Sequence, residues 1–239
     1  MPKQWVIPDI HGCFHSLQAL IETQIVPSVD DQLLFLGDFV DRGPYSKQVL
    51  DYVIGLENQG YNIVALKGNH EDFFVKSWDE ERNLKSFLFI KETNQSKSQW
   101  LRHGGKEALE SFGTDNLAAI PEHYIEWMRK LPLYHETGNY ILVHAGLNFN
   151  HDDPFRDEWA MLWVKDYKIV PSKIGNRRLI HGHVPVNLEF IDISINNPRY
   201  PFIDLDNGCY MANRPGYGNL VALELGSMEL KVQPNLDMD

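Results

Sequence analysis

The sequence predicts an α/β layered fold, and two observations carry that prediction. Short apolar runs recur along the chain and end in small and polar residues, and the apolar spacing between the early runs is that of helices. Runs that are continuous rather than alternating suggest strands covered on both faces.

The first run is Trp5-Val6-Ile7, followed by a helical face of Phe14, Leu17, Leu20 and Ile21. The second is Leu33 to Leu36, followed by Val49, Leu50, Val53 and Ile54, with Gly60 ending that helix. Ile63 to Leu66 makes a third strand. Later runs lie at Tyr140 to Val143, Leu179-Ile180, Phe202-Ile203 and Leu220 to Leu225. Strand–helix alternation of this kind folds as layers. From about residue 72 to 134 the pattern is helical and polar, with Pro121 placed to open a helix bearing Tyr124, Ile125 and Met128, and Pro132 to close it. That segment has no self-contained apolar pattern. The expectation is one domain over residues 1–239 with a helical insertion or cap at about 72–134.

Composition excludes several functional classes. A net charge of -11 argues against nucleic acid as the main partner, because backbone phosphates call for a basic face. Cys13 and Cys209 form no CxxC pair, so a zinc-thiolate or redox motif has no support. No segment has the roughly 18 uninterrupted apolar residues of a membrane span, and the N-terminus lacks a signal-peptide core. A soluble, cytoplasmic protein with no membrane partner is expected.

The polar chemistry is positional. Five strand ends carry metal-capable groups: Asp9-x-His11, Asp38-x-x-Asp41-Arg42, Asn69-His70-Glu71, His144 and His181-Gly182-His183. In open α/β sheets, ligands bind beyond the carboxyl ends of strands. One Asp or His there is usually a turn or cap residue; five clusters together are not. Asp, His and Asn without cysteine suit intermediate or hard dications such as Mn²⁺, Fe²⁺, Zn²⁺ or Mg²⁺. The set exceeds what one ion takes from a protein. Two ions sharing a carboxylate would use it, and such a site binds and polarises phosphate.

Together these motifs resemble the calcineurin-like metallophosphoesterases, and within them the phosphoprotein phosphatase family. DxH stands as Asp9-Ile10-His11, GDxxDRG as Gly37 to Gly43, GNHE as Gly68 to Glu71, followed by His144-Ala145-Gly146 and Gly182-His183. The stretches Trp100 to Gly113 and Gly43 to Lys47 are similar to the bacterial serine/threonine protein phosphatase-like branch. The resemblance implies a two-sheet β-sandwich flanked by helices, with two divalent ions, Mn²⁺ first among them, at the strand ends. It implies that Asp9 and His11 bind the first ion, that Asp38 bridges, and that Asn69, His144 and His183 complete the second. Arg42 would clamp phosphate oxygens, Asn69 would also touch substrate, and His70 would protonate the leaving group, with Asp41 orienting it and raising its pKa. Hydrolysis would proceed by direct attack of a metal-bridging hydroxide.

Two departures stand out. Pro8 precedes Asp9 where the family usually has glycine, and Lys165 stands where relatives commonly carry a second phosphate-binding arginine. Lysine keeps the charge and loses the planar fork.

Other residues read as ordinary. His181 is expected as a packed strand-end residue, Glu71 as a structural partner, His103 as a surface or core histidine, and Asp206-Asn207-Gly208 as a turn after a strand, with a peripheral role near the metals as the lesser reading.

The leading expectation is a phosphomonoester hydrolase, plausibly a protein serine/threonine phosphatase acting on a phosphorylated protein, a peptide or a small phosphate ester. Its alternative is a dinucleoside polyphosphate hydrolase of the diadenosine tetraphosphatase kind, a branch that often lacks the second aspartate of GDxxDRG. A catalytically silent metal-bound interaction module is the reading of another class.

Overall fold

The computed structural model describes residues 2–84 and 94–238, so part of the expected insertion, residues 85–93, lies outside the described residues. Strand β1 (Gln4–Ile7) leads into helix α1 (Phe14–Ala19), which runs on as a π-helical turn to Ile25. β2 (Gln32–Phe35), α2 (Ser46–Asn58) and β3 (Asn62–Ala65) follow. Then come α3 (Asn69–Leu84), α4 (Gln95–Trp100), α5 (Lys106–Ser111) and α6 (Glu122–Lys130). The second half is β4 (Tyr134–Thr137), β5 (Tyr140–Val143), α7 (Glu158–Trp163), β6 (Arg178–His181), α8 (Leu188–Asn196), β7 (Phe202–Asp204), β8 (Asn219–Glu224) and β9 (Leu230–Pro234).

The strands form two mixed sheets, ordered β3-β2-β1-β8-β9 and β4-β5-β6-β7. β1, β2 and β3 are parallel, as are β5, β6 and β7, while β8, β9 and β4 pair antiparallel. This is the two-sheet sandwich flanked by helices that the resemblance implied.

The continuous apolar runs have the cause inferred for them. Trp5, Ile7, Leu33 and Phe35 pack under α1, α2 and α6, through Leu17, Leu20, Val49, Val53, Ile125 and Met128. Their alternate neighbours Val6 and Leu34 turn the other way and meet Leu142, Ile180 and Ile203 of the second sheet. Each such side chain contributes about 1.5–3 kcal/mol on burial. The outer face of the second sheet is covered by Leu147, Phe149, Met161 and Ile174. Strands β4 and β9 fall outside the runs read from sequence; β4 has alternating partial exposure and so offers no continuous apolar signal.

Helices α3 to α6 cover the first sheet, and Phe74, Trp78, Trp100, Leu109 and Tyr124 join the same cluster as Trp5 and Phe35. Pro121 is the cap before α6, as its fixed φ suits. No helix among the described residues is long and apolar enough to cross a membrane.

Candidate metal centre

The layering sets the C-terminal ends of β1, β2 and β5 against one another. His144, after β5, turns its Nδ1 to the Leu36 carbonyl after β2 at 3.0 Å. His11, after β1, turns its Nδ1 to the Val40 carbonyl at 3.1 Å. In a neutral imidazole a donating Nδ1 leaves Nε2 as a bare lone pair. Both lone pairs then point at one carboxylate oxygen, since Asp38 Oδ2 lies 3.5 Å from His11 Nε2 and 3.5 Å from His144 Nε2. His144 Nε2 also sits 2.9 Å from Asn69 Oδ1 and 3.2 Å from His183 Nδ1. With these tautomers acceptor faces acceptor, a contact that a bound cation relieves.

Two groups of donors can hold an ion: His11, Asp38 and His70, and Asp38, His144 and His183. Asp38 belongs to both, the position of a bridge. Asp9 adjoins them by accepting the His183 backbone N–H at 3.2 and 3.1 Å. Gly182 makes that approach possible, because a Cβ there would run into Asp9 Oδ1.

The electrostatics agree with a site built around positive charge. Burial raises Asp9 well above the usual carboxylate range, helped by the charges of Asp206 and Asp38. Burial lifts Asp38 to about 7 and Asp206 to about 6. It also holds His11 and His144 well below the ordinary imidazole value, and His183 down to about 3. The His183 Nε2 and Asp206 Oδ2 atoms are buried with no hydrogen-bond partner. Neutral imidazoles and strained carboxylates without cysteine fit intermediate or hard dications.

Beside the donors stands the pair His70–Asp41. Asp41 Oδ2 is 2.7 Å from His70 Nδ1, which leaves His70 Nε2 facing Arg42 Nη2 at 3.2 Å and Asp38 Oδ2 at 3.9 Å. The orienting bond expected of Asp41 is present. A raised His70 pKa is not: burial takes His70 down to about 4, with Asp38 pulling up and Arg42 pushing further down. Burial likewise raises Asp41 well above its ordinary value. The Arg42 guanidinium lies 4.4 Å over the Tyr210 ring. Lys165 is exposed, and its charge is the largest influence on His183 after burial.

Further contributors have roles that were not read from sequence, although the stretch from Trp100 through the glycine pair was singled out there. Trp100 is buried and donates Nε1 to both Asp41 oxygens at 3.0 and 2.9 Å. The Gly104–Gly105 pair has a steric cause: a Cβ on Gly104 would strike the Arg42 backbone and one on Gly105 the Trp100 ring. Tyr210 backs Arg42 and meets the His11 ring edge-on at 5.0 Å. Asp206, read as part of a turn, is a buried carboxylate acting on Asp9. Glu71 is the structural partner it was read as, accepting the N–H groups of Asp38, Phe39 and Gly68 at 2.9, 2.8 and 2.9 Å. His181 packs between Tyr167 and Phe202, and His103 bonds to the Gln99 carbonyl on the surface.

A helix-flanked two-sheet sandwich with imidazoles and carboxylates converging at its strand ends defines the metallophosphoesterase class. The model of the calcineurin-like phosphoesterase family matches residues 2–210, and the chain belongs to that family. The asymmetrical bis(5'-nucleosyl)-tetraphosphatase PrpE of Anoxybacillus flavithermus is 27% identical over 96% of this chain and 93% of its own length. The symmetrical bis(5'-nucleosyl)-tetraphosphatase of Methylococcus capsulatus is 31% identical over 60% of this chain. The match spans 42–44% of the length of that enzyme and of the symmetrical enzymes of Aromatoleum aromaticum and Pseudomonas fluorescens. Among solved structures, a protein serine/threonine phosphatase from Saccharomyces cerevisiae superposes with a TM-score of 0.60 at 17% identity, over 98% of this chain and 80% of that one. A cold-active protein-tyrosine phosphatase of Shewanella sp. gives 0.60 at 14%, with the same coverage. At that identity the likeness is one of fold.

Proposed function

We propose that this chain hydrolyses a phosphoanhydride bond of a dinucleoside polyphosphate with two bound dications. The observation that carries the reading is the end-to-end match to an asymmetrical bis(5'-nucleosyl)-tetraphosphatase, over 96% of this chain and 93% of that enzyme. It reverses the order expected from sequence, in which a phosphomonoesterase came first.

Asp9, His11 and Asp38 would hold one ion, and Asp38, Asn69, His144 and His183 the other, with Mn²⁺ the first candidate. Bound there, the ions would neutralise phosphate charge and supply an ionised water at neutral pH. Arg42 clamps phosphate oxygens through its fork, and stacking on Tyr210 fixes the plane of that fork. In the reaction a water oxygen bonds to phosphorus as the bridging P–O bond breaks. The departing oxygen takes a proton from His70 Nε2, while Asp41 at 2.7 Å stabilises the imidazolium through Nδ1. An anionic substrate beside Nε2 offsets the burial that otherwise keeps His70 neutral.

The phosphomonoesterase reading stands second, and one observation favours it. Asp41 is retained and bonded to His70.

The test is hydrolysis by the Mn²⁺-loaded protein of diadenosine tetraphosphate, an aryl phosphate monoester, an aryl diester and a phosphopeptide, with Asp38→Asn and His70→Asn alongside. Preferential cleavage of the tetraphosphate is expected. Preference for the monoester or the phosphopeptide would promote the second reading. Failure on every substrate would sink both. Metal analysis should return about two ions per chain, falling in Asp38→Asn; a single-ion stoichiometry in the unmodified protein would remove the bridge.

A further inference from the structure

Beside the metal centre, on the outer face of the second sheet, lies a cavity of about 350 Å³. That is within the roughly 300–1,000 Å³ of small-molecule sites. Its lining includes Ala145 and Gly182, the chain neighbours of His144 and His183, so it lies next to the donors.

One wall is aromatic. Tyr167, His181, Phe202 and Phe190 form a row of rings, with successive centroids 6.1, 5.5 and 6.3 Å apart. All four are half-buried; Tyr167 and Phe202 pack partly on the core of that face, and part of each ring stays accessible. Two charged residues share the cavity with these rings, Lys165 and Asp204, the latter the cross-strand partner of His181. Exposed Lys165 stands at the rim on the metal side, where its charge reaches His183. Asp204 is buried in the cavity lining, and its carboxylate takes one long bond, from the Asp206 N–H at 3.3 Å. Rings to stack on, an acceptor at depth and a cation toward the metals match a base, its amino group and the first phosphate of a nucleotide.

We propose that this cavity binds one nucleoside of the substrate, a purine bearing an exocyclic amino group, with the base against Phe190 and Phe202, the amine toward Asp204 and the adjoining phosphate against Lys165. The proposal rests on the dinucleoside reading and names the half of the substrate this chain grips. It also accounts for lysine at position 165. The phosphate next to the ribose needs neutralising rather than bidentate clamping, and a flexible point charge does that.

The experiment is calorimetric titration of the full, Mn²⁺-loaded chain with adenosine 5'-monophosphate and with ribose 5-phosphate, which differ only in the base. The nucleotide should bind about tenfold or more tightly, the effect of one stacked base. Phe190→Ala and Asp204→Asn should each narrow that gap, and Phe190→Tyr should restore it. Equal binding of the two ligands by the unaltered protein would overturn the proposal even if diadenosine tetraphosphate is cleaved. A base preference that survives both Phe190→Ala and Asp204→Asn would overturn it too. So would a phosphopeptide that competes with the nucleotide and depends on Phe190 equally. A Phe190-dependent base preference without tetraphosphate cleavage would leave the pocket standing and defeat the function proposed above.

Discussion

Replacing Trp100 by phenylalanine is expected to slow the reaction without touching any metal donor. The indole Nε1 reaches both Asp41 oxygens, at 3.0 and 2.9 Å, and Asp41 in turn fixes His70 Nδ1 at 2.7 Å. All three side chains are buried, so no water replaces the lost donor. A hydrogen bond to such a carboxylate contributes about 1.5–3 kcal/mol. For a chain of this length that lowers the melting temperature by about 3–12 °C. The freed carboxylate then holds His70 less firmly, and a loss of about tenfold in kcat corresponds to only 1.4 kcal/mol of misplacement. The assay is kcat, melting temperature and metal content for Trp100→Phe, Asp41→Asn and the double variant. If Trp100 acts through Asp41, the double variant loses little more than Asp41→Asn alone. Losses that multiply, or an unchanged kcat in Trp100→Phe, would refute the relay.

Gly182→Ala should abolish activity and reduce metal content, because its Cβ enters the Asp9 carboxylate, whereas Gly55→Ala, in α2 with nothing within 4 Å, should raise stability by up to about 1 kcal/mol. Equal behaviour of the two in melts and metal analysis would remove the steric argument. Glu71→Gln should cost about 3 kcal/mol in chemical denaturation, since an amide nitrogen would then face one of the backbone N–H groups that Glu71 accepts; a loss under about 0.5 kcal/mol, the range of an ordinary surface change, would contradict that. The pH dependence of stability has a worked sign. Asp38 at about 7 and Asp206 at about 6 in the folded protein stand above about 3.9 in the unfolded chain. On these two groups the folded state keeps protons the unfolded state releases, so their contribution to metal-free stability falls from about pH 4 to about pH 7, against the opposite contribution of His70 and His183, which are held below the ordinary imidazole value. Mn²⁺ should offset that fall, so its stabilising effect grows with pH; a metal-induced shift in melting temperature that is constant from pH 5 to 8 would count against it.

Much of this was legible in the sequence, and the boundary of legibility has a physical cause. Strands buried on both faces announce themselves as unbroken apolar runs, so β1, β2, β5 and β8 were readable. Half-exposed β4 was not. The donors were readable because each stands just past a strand, where the fold must present them. Trp100, Tyr210 and Asp206 were not, because each acts through a residue distant in sequence. Trp100 serves Asp41 across 59 positions, and nothing local marks a tryptophan as a carboxylate's partner. The glycine pair after it was the available signal. The close approach of Arg42 and Trp100, together with the positive φ of Gly104, explains why two glycines stand there.

The backbone carries the same distinction. Among the described residues, eight non-glycine residues have positive φ: His11, Val26, Asp38, Asp41, Arg42, Asn176, His183 and Met228. Five of them belong to the site. Each such conformation costs of order 1–3 kcal/mol and persists only where surroundings over-determine it. The surroundings here are identifiable. The His11 N–H donates to the Asp38 carbonyl at 2.8 Å, Glu71 holds the Asp38 and Phe39 amides, and the Arg42 N–H donates to Gly104 at 3.1 Å. The loops after β1 and β2 are thus locked to each other and to α3 before any ion arrives. Preorganisation of this kind keeps buried donors aimed at one another despite their repulsion, so a dication gains their full attraction with little rearrangement of the chain. Asp38 and Asp41, three positions apart, are turned by this strained backbone toward different partners: Asp38 to the converging imidazoles, and Asp41 to His70 and Trp100.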